Sequence, residues 1–189
     1  ESGRLDIEAV WAEPHRIIHE VFKVLGVKAQ EKGIPLKFKA QNALPQKIKT
    51  DPARFRQIIF NLVGNAIKFT EQGDVTVKCR FQGSGSDPMM VIDITDTGIG
   101  IPDDKLQSIF DPFTQADSAV TRRFGGTGLG LSISRRFARA LGGDITVESK
   151  PRNGSTFRVT LGTGDVEGIP FLQPEDVETS TQTFSEDEQ

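Results

Sequence analysis

Apolar residues recur at spacings of three and four along EPHRIIHEVFKVLGVKAQEKG, at Ile17, Ile18, Val21, Phe22, Val24 and Leu25. Pro14 suits a first turn and Gly33 a stop, so this period predicts an amphipathic helix. The period then drops to two in IPLKFKA, where Ile34, Leu36, Phe38 and Ala40 alternate with Lys37 and Lys39, the pattern of a strand with one wet face. A second helix follows in DPARFRQIIFNLVGNAIKFT: Asp51 can cap, Pro52 fits the first turn, and Phe55, Ile58, Ile59, Leu62, Val63, Ala66 and Ile67 build one apolar arc. Two strands come next, DVTVKCRF and MMVIDITD, with the loop QGSGSDP between them. From Gly98 to Gly126 there is turn chemistry and little periodicity, and a loop of that length inside a domain is usually functional. The chain closes with a helix carrying Leu131, Ile133, Phe137 and Leu141, a Gly142-Gly143 stop, and the strands DITVES and STFRVTL around the turn KPRNG.

Helices alternate with strands, yet consecutive strands also pair as hairpins, which excludes a purely parallel doubly wound sheet. The expected fold class is α/β in the broad sense, an α+β two-layer sandwich: a mixed β-sheet with helices packed on one face. Its 189 residues suit one domain rather than two. After Val166 the acidic residues Glu167, Glu175, Asp176, Glu178, Glu186, Asp187 and Glu188 have no basic partners among them, so residues 166–189 are expected to form a mostly disordered tail or linker.

Composition removes several classes of function. With 36% hydrophobic and 26% charged residues the chain is that of a soluble globular protein, and no apolar run approaches the roughly 20 residues a bilayer span needs. The start, ESGRLDIEAV, has neither the basic end nor the apolar core of a signal peptide and looks like a piece of a longer chain. One cysteine and two histidines exclude a disulfide framework and a zinc site, and the alternating context of Cys79 marks it as a buried structural thiol. A net charge of −3 supplies no basic field for nucleic acid.

Three segments carry candidate chemistry. Asn61, Asn65 and Lys68 lie four and three apart, on a helix stripe opposite the apolar arc. Such a stripe can be a solvated face, or it can offer an amide oxygen to a hydrated magnesium and an ammonium to a phosphate. DTGIGIP directly follows a strand, where Asp96 can accept from an exocyclic amine while Gly98 and Gly100 let the backbone pass close to a planar base. An ionised carboxylate only accepts, so it favours the adenine amine over the guanine carbonyl, although an ordinary turn has the same residues. Finally, Gly125, Gly126, Gly128 and Gly130 precede a helix whose free N–H groups suit a polyphosphate, with Arg122 and Arg123 just upstream. The run lacks the Gly-Lys-Ser/Thr ending of a P-loop and the spacing of a dinucleotide fingerprint.

Taken in order, NLVGNAIKFT, DTGIGIP, FDPFTQADSAVTRRFGGTGLGLSIS and GSTF closely resemble the N, G1, F, G2 and final glycine boxes of the catalytic ATP-binding domain of sensor histidine kinases, over roughly residues 10–161. The F and G2 segment resembles most the hybrid kinases, which carry receiver domains. The resemblance implies a Bergerat-type fold at 11–165, a linker at 1–10 from an upstream dimerisation domain, and a two-component protein-histidine kinase of the GHKL group binding ATP and Mg2+. It implies that Asn65 holds the magnesium with Asn61 alongside, that Lys68 contacts phosphate, and that Asp96 binds the adenine amine. Gly98, Gly100 and Ile101 would shape that pocket and Thr156 would close it. Phe110 and Phe113 would anchor a lid bringing Arg122 toward the phosphates, with Gly126, Thr127, Gly128, Leu129 and Gly130 along the phosphate chain. Related ATPases place a water-activating glutamate where Asn61 stands, and an amide is no general base. The implied role is to pass the γ-phosphoryl group to a histidine on a dimerisation domain outside this sequence, and thence to a receiver domain. Neither His15 nor His19 is expected to be that histidine, because both lie in the first predicted helix without the following basic-polar-Pro segment. Neither nucleic acid nor membrane is an expected contact of this fragment, which is expected in the cytoplasm, the full protein being a candidate for an inner-membrane anchor. The alternative is a degenerate pseudokinase acting as an interaction module.

Overall fold

Five strands form the sheet that carries the core, in the order β2 (Leu36–Ala40), β5 (Val75–Gln82), β6 (Met89–Asp96), β8 (Ser155–Gly162), β7 (Asp144–Ser149). The computed structural model describes residues 5–83, 87–112 and 130–182. β2 runs parallel to β5, and the β5–β6, β6–β8 and β8–β7 pairs are antiparallel. The sheet is therefore mixed, as the combination of hairpins and a helical crossover requires. Helices α1 (Pro14–Lys32), α2 (Pro52–Lys68) and α3 (Gly130–Ala140) cover one face, giving the expected two layers.

The helix α2 is the spine of that layer. The Asp51 side chain accepts from the amides of Ala53 and Arg54 at 3.1 and 3.2 Å, which satisfies two donors that the first turn leaves open. All seven residues of the predicted arc are buried. In α1 the buried set is Pro14, Ile17, Ile18, Val21, Leu25 and Ala29, whereas Val24 is 59% exposed. At 100° per residue Val24 turns away from the line joining Ile18, Leu25 and Ala29. Gly33 ends α1 at φ 70°, in the left-handed region that favours glycine. In α3, Ser134 and Ala138 are buried and Ile133 is exposed, so the buried stripe runs one position away from the expected Ile133. Val75, Val77 and Cys79 of β5 are fully buried on one face, and burial pushes the Cys79 thiol well above its ordinary range.

Short strands absent from the periodic pattern complete the fold: β1 (Val10–Ala12) pairs with β4 (Ile48–Thr50), and β3 (Leu44–Pro45) pairs with β9 (Phe171–Leu172). The expected disorder after Val166 is corrected for the described residues, since β9 is followed by helix α4 (Pro174–Gln182) with Val177 fully buried in the core. Val177 in the core, Leu172 packed against it and Phe171 on Phe81 outweigh the surrounding acidity. Residues 183–189 lie outside the described residues.

Asp144 opens β7 just after the Gly142-Gly143 stop and accepts from Arg135 Nε at 3.0 Å, Arg139 Nε at 3.2 Å and the Ile145 amide at 2.8 Å. Burial alone would raise its pKa, but the Arg135 hydrogen bond, the Ile145 amide and the two arginine charges outweigh it and hold the carboxyl below the ordinary range. A depressed folded pKa stabilises the fold above the unfolded value, about 3.9 for Asp, and that contribution is lost as pH falls through the folded value. Asp144→Asn is therefore expected to melt below the parent at about pH 6, with the gap closing toward about pH 3. Thermal denaturation at both pH values checks this, and a gap that grows on acidification would contradict it.

Candidate nucleotide site

Burial of its apolar arc turns the opposite stripe of α2 outward and leaves Asn61, Asn65 and Lys68 half-buried. Asn61 does not point freely into the site: its Nδ2 donates to the buried Ser134 Oγ of α3 at 3.0 Å. Gly130, the first residue of α3, lies against the same amide, and a Cβ there would stand 2.5 Å from Asn61 Oδ1. Asn61 thus braces the start of α3 on α2, a role sequence reasoning missed because it depends on a contact between segments 73 residues apart. Among the described residues the Asn65 side-chain amide has no hydrogen-bond partner, which leaves its oxygen able to meet a ligand. Lys68 Nζ lies 5.5 Å from the Phe69 ring centroid. An open groove of about 540 Å³ runs between α1 and α2, and Asn61, Asn65 and Lys68 share it with Lys28 and Lys32. Lys32 also donates to the carbonyls of Ile67 and Lys68 at 2.7 and 3.2 Å, closing the C-terminal end of α2.

Asp96 is the last residue of β6 and is 6% exposed, on the helix-covered face with Ile92 and Ile94. Its Oδ1 accepts from the Gly98 amide at 2.9 Å, and the Ser155 amide also donates to the carboxylate. Burial raises its pKa, partly opposed by those two amides. Gly98 is obligatory because a Cβ would stand 2.3 Å from the Phe69 carbonyl oxygen, and Gly100 has φ 71° with the Lys150 carbonyl 2.0 Å from a Cβ position. The Ile99 amide donates to the Phe69 carbonyl at 3.3 Å, and the Ile101 amide to Ser149 Oγ at 2.8 Å. The loop after Asp96 is therefore fastened to the C-terminal end of α2. Asp96 and the glycines lie outside the α1–α2 groove, and α2 itself joins the two regions.

Phe110 is half-buried, edge-to-face with Phe157 at 6.4 Å between centroids. Thr156 is a correction. Its Oγ1 lies 3.0 Å from Thr95 Oγ1, and Thr95 points to the sheet face opposite its neighbour Asp96. Ser155, in register with Asp96, takes the place assigned to Thr156. Its hydroxyl lies 2.8 Å from Ser149 Oγ. Thr156→Val is accordingly expected to leave nucleotide affinity unchanged and to cost about 0.5–1 kcal/mol of stability through the lost hydroxyl pair. Calorimetric titration beside a melting curve checks both, and a loss of affinity would return Thr156 to the site. Phe113, Arg122, Gly126, Thr127, Gly128 and Leu129 lie outside the described residues.

Among the described residues no cluster of three His, Cys, Asp or Glu side chains is placed to hold a metal. A magnesium ion here would take its oxygens chiefly from water and nucleotide phosphates, with Asn65 as a protein ligand, which suits an amide oxygen on the half-buried stripe. Among the described residues no helix is long and apolar enough to cross a membrane.

Residues 50–164 match the family model described as histidine kinase-, DNA gyrase B-, and HSP90-like ATPase. The chain is 39% identical over 158 residues to the signal transduction histidine-protein kinase BarA of Escherichia coli (strain K12), covering 83% of this chain and 17% of BarA. It spans less than a fifth of that relative. Among solved structures, full-length ShkA in complex with AMPPNP superposes with a TM-score of 0.73 at 28% identity, covering 91% of this chain and 33% of ShkA. The histidine kinase ThkA in complex with the response regulator protein TrrA gives 0.66 at 25% identity, covering 85% of this chain and 43% of ThkA.

Proposed function

Because the chain belongs to the histidine kinase-, DNA gyrase B-, and HSP90-like ATPase family, we propose that it is the ATP-binding catalytic domain of a sensor histidine kinase, delivering the γ-phosphoryl group to a histidine on another domain. The observation that carries this reading is the pairing of a buried Asp96 with α2: the carboxylate is held by two backbone amides beside Phe69, and the same helix presents Lys68 next to Phe69 and Asn65 one turn back. From Asn61 to Phe69, eight residues at about 1.5 Å rise give ~12 Å, room for a base at one end and phosphates at the other. Asp96 accepts the adenine amine, Lys68 meets phosphate charge, and the Asn65 oxygen completes the coordination of a hydrated Mg2+, which neutralises the phosphates when bound.

Asn61 favours transfer over hydrolysis. Its amide is occupied by Ser134 and lacks the basicity to activate water, so the phosphoryl group is kept for an incoming nucleophile. His15 and His19 both sit half-buried in α1, which packs on the core of this same domain, and neither is proposed as the acceptor. The acceptor is proposed to be the phosphoacceptor domain of the same kinase, with a response regulator receiver domain downstream, in the cytoplasm. The hybrid subclass is part of the same proposal. A degenerate interaction module is not favoured, because the Asp96, Gly98, Asn65 and Lys68 chemistry is intact.

The test is direct. Calorimetry should give tighter binding of Mg-ATP than Mg-GTP, and radiolabelled ATP should label an added phosphoacceptor domain but not the chain itself. Equal binding of both nucleotides would refute the Asp96 assignment, and self-labelling at His15 or His19 would refute the separate acceptor.

A further inference from the structure

We propose that Arg135 is a positioning residue for the base side of the nucleotide site, acting through Phe110; this rests on the nucleotide-binding reading above. The loop that leaves Asp96 is tied down near its start by the Gly98 and Ile99 amides, and in its middle by Ile101 on Ser149 and by the Arg152 amide on the Ile99 carbonyl, 2.8 Å. Its far end, through the short 3-10 turn at Asp103–Lys105, bonds mostly to itself: Ser108 and Ile109 donate to the Lys105 carbonyl, and Asp111 to that of Ser108. Among the described residues that end meets the core through Phe110, beside the buried Ile109.

Phe110 is held between two partners. Its ring meets Phe157 edge-to-face, and Phe157 stands in register with Ile94 and Val147, two residues along β8 from Ser155. The guanidinium of Arg135 lies 4.6 Å from the Phe110 ring centroid. That cation is itself fixed, since Nε and Nη2 reach the two oxygens of Asp144 at 3.0 and 3.4 Å. A planar fork can satisfy a carboxylate and cover an aromatic ring together, which a lysine ammonium cannot. The Arg135 side chain is only 29% exposed, so the stack is partly desolvated. Asp144, Arg135, Phe110 and Phe157 thereby link α3 and β7 to the far end of the loop whose near end is the Asp96 pocket. Arg139 shares Asp144 with no aromatic partner among the described residues, and it keeps the carboxylate charged when Arg135 moves.

The experiment uses the whole 189-residue chain. Arg135→Met, which keeps bulk and removes the charge and fork, should raise the dissociation constant for Mg-ATP about five- to twentyfold, and Arg135→Lys by less. Amide exchange at residues 102–111 should quicken in Arg135→Met, while amides of α2 and β6 keep their protection; general loosening would not give that pattern. Asp144→Asn should weaken binding about two- to fivefold, and adding it to Arg135→Met should change nothing more, as expected of residues acting in one chain. If Arg135→Met does not fold, Phe110→Leu and Asp144→Asn carry the same comparison. Binding by Arg135→Met within about twofold of the parent, while Asp96→Ala has lost it, would overturn the proposal and leave the site reading standing. Parental binding by Asp96→Ala would instead bring down the site reading, and this inference with it.

Discussion

Asp96→Asn is expected to weaken Mg-ATP binding about a hundredfold and to leave the protein as stable at pH 7 as the parent, within about 3 °C. Two opposite effects meet at one atom pair. The carboxylate is 6% exposed and its pKa is raised, burial being the larger cause and the Gly98 and Ser155 amides a partial offset. A raised folded pKa means that the folded state binds a proton at higher pH than the unfolded chain, so stability falls as pH climbs from the unfolded value toward the folded one. At pH 7 the charged Asp96 is thus held against the preference of its surroundings, and a neutral amide relieves that cost while losing one acceptor for the two amides. Binding moves the other way, because a purely accepting group is replaced by one that also donates toward an amine. A hydrogen bond to a charged group contributes about 1.5–3 kcal/mol net, or about ten- to 150-fold in affinity. Preference for adenine over guanine should shrink in the same variant, since the amide can serve either base edge. Titration calorimetry with both nucleotides beside a melting curve reads all three quantities. Unchanged affinity with unchanged preference would remove Asp96 from the site.

Why one residue of this pocket was legible and its neighbour was not comes down to parity. Asp96 and the glycines after it are local: a strand ends, a turn begins, and the chemistry is written in consecutive residues. Assigning Thr156 required knowing which face of β8 looks toward Asp96. That information was present in STFRVTL, where Phe157, Val159 and Leu161 mark the core face and place Ser155, not Thr156, on it. Cap and arc chemistry made α2 fully legible for the same reason, as Asp51, Pro52 and seven apolar residues act within one segment. Asn61 on Ser134 and Arg135 on Phe110 join distant segments, and no local period announces them. Strands of two or three residues such as β3 and β4 are too short to show alternation.

Replacing Val177 by Asp should lower stability by about 2–4 kcal/mol, or about 5–15 °C for a chain of this size. Composition pointed to disorder here, and the geometry explains the opposite. β2 is an edge strand of the five-stranded sheet, and an edge strand presents unpaired backbone groups. Glu178 answers one of them, its Oε1 accepting from the Ala40 amide at 3.0 Å, and the adjacent Val177 is fully buried among core residues. Upstream, the Gln46 amide donates to the Pro170 carbonyl at 2.8 Å, Leu172 pairs with Leu44, and Phe171 meets Phe81 edge-to-face at 5.1 Å. An acidic segment therefore docks through the apolar side chains of Phe171, Leu172 and Val177 and through the Glu178 carboxylate, which accepts from an edge amide. A buried aspartate at 177 cannot be paired there, so α4 must leave the sheet, and the cost is limited to what its docking contributes. Once α4 leaves, the Ala40 amide and the β2 edge are open to a second chain, and melting should become dependent on protein concentration. Val177→Ile, which keeps the apolar contact, should melt close to the parent. A Val177→Asp variant that melts with the parent and stays monomeric would mean that α4 does not cover this edge in solution, and that the acidic composition had been the better guide.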